Sequence, residues 1–112
     1  MQTVAETAYF SRRAAKRLTA GELRDAIVAI AADPLCGDLI EETGGLRKVR
    51  FAAGGKGKSG GVRIIYYWFS DKAPIFLLDV FKKNEKDNLG KAERNGLAKL
   101  AERLKAAYRR AK

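Results

Sequence analysis

Apolar and polar positions alternate with a period of two along Leu46–Phe51, Val62–Phe69 and Ile75–Phe81, which predicts three β-strands bounded by glycine-rich or turn-forming residues. Alternation also sorts their faces. In the first, Leu46, Lys48 and Arg50 oppose Arg47, Val49 and Phe51. In the second, Val62, Ile64, Tyr66 and Trp68 oppose Arg63, Ile65, Tyr67 and Phe69. In the third, Phe76, Leu78 and Val80 oppose Ile75, Leu77, Asp79 and Phe81. A short hairpin turn at Ser70–Pro74 that sets Trp68 against Phe76 also sets Tyr66 against Leu78 and Ile64 against Val80. That wholly apolar set is the expected core face, covered by helices. The reverse face then carries Arg63, Ile65 and Tyr67, with Lys48 and Arg50 added if Val49 and Phe51 turn to the core. It is only partly polar, so a further helix or a partner chain is expected to cover some of it.

Before the strands, Thr3–Tyr9 reads as a short first strand on the strength of Val4, and Ser11–Leu18 as a helix. Thr19-Ala20-Gly21-Glu22 has capping-box spacing and opens a second helix. Leu23, Ala26, Ile27 and Ile30 form one apolar stripe on that helix, and Asp33-Pro34 stops it, since a residue before proline avoids the α region. The two helices are expected to form a hairpin, and Leu35–Gly45 an irregular connection. From about Gly90 a last helix carries Leu97, Leu100, Ala101, Leu104 and Tyr108 on one stripe and Lys/Arg elsewhere; Gly96 within it costs about 1 kcal/mol against alanine. The expected fold is α+β: a small antiparallel sheet with helices packed on it, in the order βααβββα, in one domain of 112 residues.

Charge gives the reverse face a meaning. The chain has 23 Lys+Arg against 13 Asp+Glu, a net +10, with 46% hydrophobic residues, so it is a folded basic protein whose first expected partner is a polyanion. Nucleic acid is favoured over a membrane surface, because the cations are interleaved with strand formers and the longest apolar run, Ile64–Phe69, is far short of a span. The opening Met1-Gln-Thr-Val-Ala-Glu lacks the charged and apolar regions of a signal peptide, so a cytoplasmic location is expected. The single cysteine, Cys36, has no ligand set around it and reads as a buried or incidental thiol. One cysteine without a ligand set excludes structural zinc, and the lack of histidine excludes the Ser-His-Asp and Cys-His arrangements. No metal or other cofactor is expected, and catalysis would fall to Lys, Arg, Tyr or carboxylates. Ala53–Gly61 surrounds Lys56 and Lys58 with five glycines, which suits a loop bringing amides and two ammonium groups to a phosphate backbone. Its spacing is not that of a nucleotide-binding P-loop, and no helix follows it.

Three stretches, Thr43-Gly-Gly-Leu-Arg-Lys-Val-Arg50, Lys56-Gly-Lys-Ser-Gly-Gly-Val-Arg-Ile-Ile-Tyr-Tyr67 and Phe81-Lys-Lys-Asn-Glu85, together give the chain a resemblance to the RelE/ParE superfamily of bacterial toxins, most closely its HigB-type, RelE-like mRNA interferases. The resemblance runs along nearly the whole chain. It implies a toxin of a type II toxin–antitoxin module that acts as a ribosome-dependent, metal-independent endoribonuclease. Such a toxin cuts message in the A site by attack of a ribose 2′-hydroxyl on the adjacent phosphate. The implied partners are a cognate antitoxin encoded nearby, the ribosome with its 16S rRNA, and mRNA. The family's basic strand pair matches Lys48 and Arg50, the arginine of its Arg-φ-φ-Tyr pattern (φ apolar) matches Arg63, and the basic residue after its last strand matches Lys83, with Lys82 beside it. Some RelE proteins carry a tyrosine a few residues further on. This chain has Lys86-Asp87-Asn88-Leu89 there, which leaves proton transfer to lysines. The alternative within the superfamily is a ParE-like inhibitor that binds DNA gyrase and hydrolyses nothing.

The residue types suit phosphodiester cleavage. Arg63 has a fixed fork that donates two hydrogen bonds to a phosphate whose oxygens gain charge in the transition state. Like charge nearby disfavours the ammonium form of a lysine, which fits one for acid or base work, and Lys48, Lys56, Lys58 and Lys83 are the candidates. Tyr67 shares Arg63's face and is a candidate for contact with RNA; Asn84 suits a hydrogen bond to a base or ribose. Each has a plain reading as well. Lys82, Lys83 and Lys86 also read as solvated charges at a strand end, Lys56 and Lys58 as solubilising loop residues, Arg63 as a partner for Asp79 on the adjacent strand, and Tyr66 and Trp68 as core.

Overall fold

A computed structural model describes residues 2–53, 61–86 and 88–111. Five strands, β1 (Val4–Glu6), β2 (Asp38–Leu39), β3 (Leu46–Phe51), β4 (Val62–Tyr67) and β5 (Ile75–Lys82), form one sheet in the order β1-β5-β4-β3-β2, antiparallel except where β1 runs parallel to β5. Three helices complete the α+β fold: α1 (Ala8–Arg17), α2 (Ala20–Ala32) and α3 (Lys91–Arg110). No helix among the described residues is long and apolar enough to cross a membrane.

Local chemistry sets the helix ends. The Thr7 hydroxyl accepts from Phe10 N at 3.2 Å and donates to Leu77 O at 2.9 Å, so one side chain caps α1 and fastens it to β5. α1 accordingly begins three residues before the expected Ser11, and the first strand is shorter than Thr3–Tyr9. The capping box of α2 forms as expected: Thr19 Oγ1 accepts from Glu22 N at 3.1 Å, and Glu22 Oε1 accepts from Thr19 N at 2.9 Å. α2 ends at Asp33, before the proline. Gly90 caps α3 without a side chain, while Glu93 Oε1 accepts from its amide at 2.9 Å.

The sheet has two covered faces. α1 and α2 bury Phe10, Ala14, Ala26 and Ile30 against Val62, Ile64, Tyr66, Ile75, Leu77 and Val80, with Val49 and Phe51 packed alongside. On the other face, α3 buries Ala101 and sets Leu97, Leu100 and Leu104 against Leu46, Ile65, Tyr67, Leu78 and Phe81. The cover expected for the reverse face is thus α3 of the same chain.

Strand pairing departs from simple alternation at one place. Ile64 lies opposite Val80 as expected, but a β-bulge shifts the register beyond Ile65, so that Tyr66 faces Leu77 and Tyr67 faces Phe76. The extra residue on β5 moves Leu78 into the α3 core and Leu77 and Ile75 into the α1/α2 core. Strict period-2 reading gave those three the opposite faces, because a bulge is invisible to alternation. Trp68 lies beyond β4, half-buried, and donates to Gln2 Oε1 at 3.1 Å. β2, within the stretch expected to be irregular, is a two-residue edge strand in which Asp38 pairs with Lys48 and Leu39 with Arg47.

Candidate functional site, a cationic cleft at the open end of the sheet

The α3 face of the sheet changes character along each strand. In β3 it runs from buried Leu46 to Lys48 and Arg50; in β4 it runs from Arg63 to buried Ile65 and Tyr67. α3 covers the apolar end and leaves the cationic end open. There a cleft of about 760 Å³ is bordered by Lys48, Arg50, Arg63 and Lys83, with Cys36, Asp38, Val49 and Asn88 completing its wall. The assignment of Lys48, Arg50 and Arg63 to one side of the sheet therefore agrees with the observed pairing, since Arg50 lies directly opposite Arg63 and Val49 and Phe51 turn to the other core.

Arg63 is the unusual member. It is 7% exposed, and its Nη1 is buried with no hydrogen-bond partner among the described residues. The pairing with Asp79 that sequence allowed does not form. Asp79, 2% exposed, accepts instead from Arg13 Nε at 2.7 Å and from Val80 N at 2.8 Å, while Arg63 faces Phe81 across the strands. Two guanidinium groups at one cross-strand pair, one of them buried with an orphaned donor, are a poor arrangement for stability alone. They suit an anion that supplies the missing acceptor.

The surrounding structure ties down Lys48 and the backbone that carries Lys83. Lys48 Nζ donates to Asn88 Oδ1, which joins the middle of β3 to the approach to α3. Lys83 follows β5 in a turn closed by Glu85 N to Lys82 O at 3.0 Å. Glu85 clamps that turn: its Oε1 accepts from Lys82 N and Arg17 Nε, both at 2.8 Å, and its Oε2 accepts from Arg17 Nη2 at 2.5 Å. The Arg17 contact holds the Glu85 carboxyl down at about 2, below the ordinary range, and the carboxylate in turn raises the Arg17 guanidinium. Behind Cys36, buried Tyr66 Oη donates to Pro34 O at 2.7 Å and accepts from Gly37 N at 2.9 Å, with Cys36 Sγ at 3.7 Å. Burial raises this phenol well above its usual range. A Cβ on Gly37 would stand 2.9 Å from Lys48 O and from the Tyr66 ring, so only glycine lets this segment lie so close to β3.

Of the residues singled out from sequence, four converge on the cleft: Arg63, Lys48, Arg50 and Lys83. Lys82 and Asn84 are exposed beside it and do not line it. Lys56 and Lys58 lie outside the described residues. Tyr67, expected at the RNA face, is 4% exposed beneath α3, and burial raises its phenol. It shares Arg63's side of the sheet but sits at the end that α3 covers, so its ring belongs to the second core. Sequence reasoning missed Asn88, Asp38 and Cys36. Asn88 meets Lys48 only through tertiary folding, and Cys36, expected to be a buried or incidental thiol, is not buried but exposed at the cleft.

The family model of the RelE toxin of the RelE/RelB toxin–antitoxin system matches residues 2–111. Among solved structures, a double arginine-to-alanine mutant of the E. coli toxin RelE in the free state superposes with a TM-score of 0.56 at 14% identity, covering 77% of this chain and 87% of that one. At that identity the likeness is one of fold.

Proposed function

Because the chain belongs to the RelE toxin family of toxin–antitoxin systems, we propose that it is an mRNA interferase of the HigB-like kind, cutting message on the cytoplasmic ribosome in this cleft. The observation that carries the reading is the buried, unpartnered Nη1 of Arg63 in a cleft bordered by three further cations. In this reading a scissile phosphate enters the cleft and its non-bridging oxygens accept from Arg63. As the ribose 2′-hydroxyl attacks phosphorus, charge grows on those oxygens, and a donor already desolvated stabilises the transition state more than the ground state. Arg50, opposite Arg63, adds positive charge to the same phosphate. Lys48 and Lys83 border the cleft and are the candidates for taking the 2′-hydroxyl proton and protonating the departing 5′-oxygen. Asn88 orients Lys48. The products are a 2′,3′-cyclic phosphate and a 5′-hydroxyl, with no external nucleophile consumed. The net charge of +10 supports a strongly salt-dependent attraction to ribosomal RNA, and membership of the family supports a cognate antitoxin as partner.

Primer extension on a defined message, with and without programmed ribosomes and with chelator present, tests the reading. New 5′ ends that need ribosomes, persist in chelator and vanish in Arg63→Ala are expected. Intact message together with blocked supercoiling by purified gyrase would favour the ParE-like alternative, which has no use for an orphaned donor inside a cleft.

A further inference from the structure

Cys36 is exposed and shares the wall of the cleft with Lys48, Arg50, Arg63 and Lys83. Its position is restrained, because Tyr66 Oη bonds to Pro34 and Gly37 on either side of it and lies 3.7 Å from the sulfur. Arg63, which borders the same cleft, has a buried Nη1 without a hydrogen-bond partner among the described residues. The four cations outnumber the one carboxylate of the cleft, Asp38, so a thiol-reactive molecule that carries carboxylates is drawn to the cleft that Cys36 borders, whereas a cationic reagent with the same reactive bond is repelled.

We infer that Cys36 is a modification site for small, carboxylate-bearing disulfides of the glutathione class, and that the resulting mixed disulfide occupies the anion cleft. The step balances without any further reagent. Cys36 gives its proton to solvent, its sulfur attacks one sulfur of the disulfide, and a new S–S bond forms as the old one breaks. The departing half leaves as a thiolate that takes up a proton; Cys36 is oxidised and the departing half is reduced. An added thiol reverses the reaction. Adduct formation and cleft occupancy do not depend on the nuclease reading; the loss of cleavage that would accompany them does.

Intact-mass measurement of the folded protein, incubated with oxidised glutathione or with the cationic disulfide cystamine, tests the inference. At low salt, oxidised glutathione is expected to react about ten-fold faster or more. That advantage shrinks in high salt or with added inorganic phosphate, and Arg63→Met and Arg50→Met each reduce it; Cys36→Ser takes up no adduct. A melting temperature that rises with inorganic phosphate in the unmodified protein, and no longer does so in the adduct, shows the cleft to be filled. Equal rates for the two disulfides, a preference insensitive to salt, or an adduct that still responds fully to phosphate would overturn the inference. Cleavage by programmed ribosomes is measured separately: inactive unmodified protein would remove the nuclease reading and leave the rate comparison standing.

Discussion

Replacing Arg63 with methionine separates what the residue does for the fold from what it does for the cleft. Methionine keeps the length and apolar stem of the side chain while removing the guanidinium. Arg63 is 7% exposed and its Nη1 has no partner among the described residues. An unsatisfied buried donor costs about 1–3 kcal/mol, and the like-charged pairing with Arg50 adds about 0.2–1 kcal/mol. Asp79 is bonded to Arg13, so no Asp79–Arg63 ion pair is lost in return. Arg63→Met should therefore stabilise the free protein by about 1–4 kcal/mol, raising the melting temperature by about 4 °C or more for a domain of this size. The assay is thermal and urea unfolding in phosphate-free buffer, repeated with rising inorganic phosphate. The wild-type protein should gain with phosphate, approaching about 2.7 kcal/mol at a hundred times the dissociation constant. The variant should gain little, so that the difference between them closes or reverses. A variant less stable than wild type without phosphate, or one that gains as much from it, would refute the reasoning and make Arg63 a structural residue.

Three further outcomes are expected. Tyr66→Phe removes the hydroxyl that bonds both Pro34 O and Gly37 N, which should cost about 1–3 kcal/mol in urea unfolding and increase amide exchange over residues 34–39. Gly96→Ala in the second turn of α3, where an added Cβ meets nothing within 4 Å, should stabilise by up to about 1 kcal/mol; an unchanged or lowered midpoint would contradict the open geometry. Glu85 has a depressed folded-state pKa, so its contribution to stability is full above the unfolded carboxyl value and is lost as pH falls towards about 2. Because the pair with Arg17 is partly exposed, the effect is about 1 kcal/mol or less, and Glu85→Gln should flatten that part of the acid unfolding curve.

How far the sequence went can be judged from particular residues. Local chemistry was enough for the Thr19–Glu22 capping box, the stop at Asp33-Pro34 and the bounds of β3, since each depends on neighbours within a few positions. Alternation was also enough to set Lys48, Arg50 and Arg63 on one side of the sheet, because the pleat has the same period wherever the strand lies. Charge then marked that side as anion-seeking.

Other features needed the whole molecule. The bulge that sends Leu78 to one core and Leu77 to the other satisfies two helix layers at once, a demand no single strand records. α3 covers Tyr67 and stops short of Arg63, so one strand face becomes core at one end and cleft at the other. Asn88 reaches Lys48, Arg13 takes Asp79 from Arg63, and Cys36 joins the cleft wall, all by contacts between segments distant in sequence. The sequence by itself determined which residues share a surface, because that follows from backbone periodicity. Only the tertiary structure decided which part of that surface is covered and which donor is left without a partner, because burial depends on what the rest of the chain lays over it.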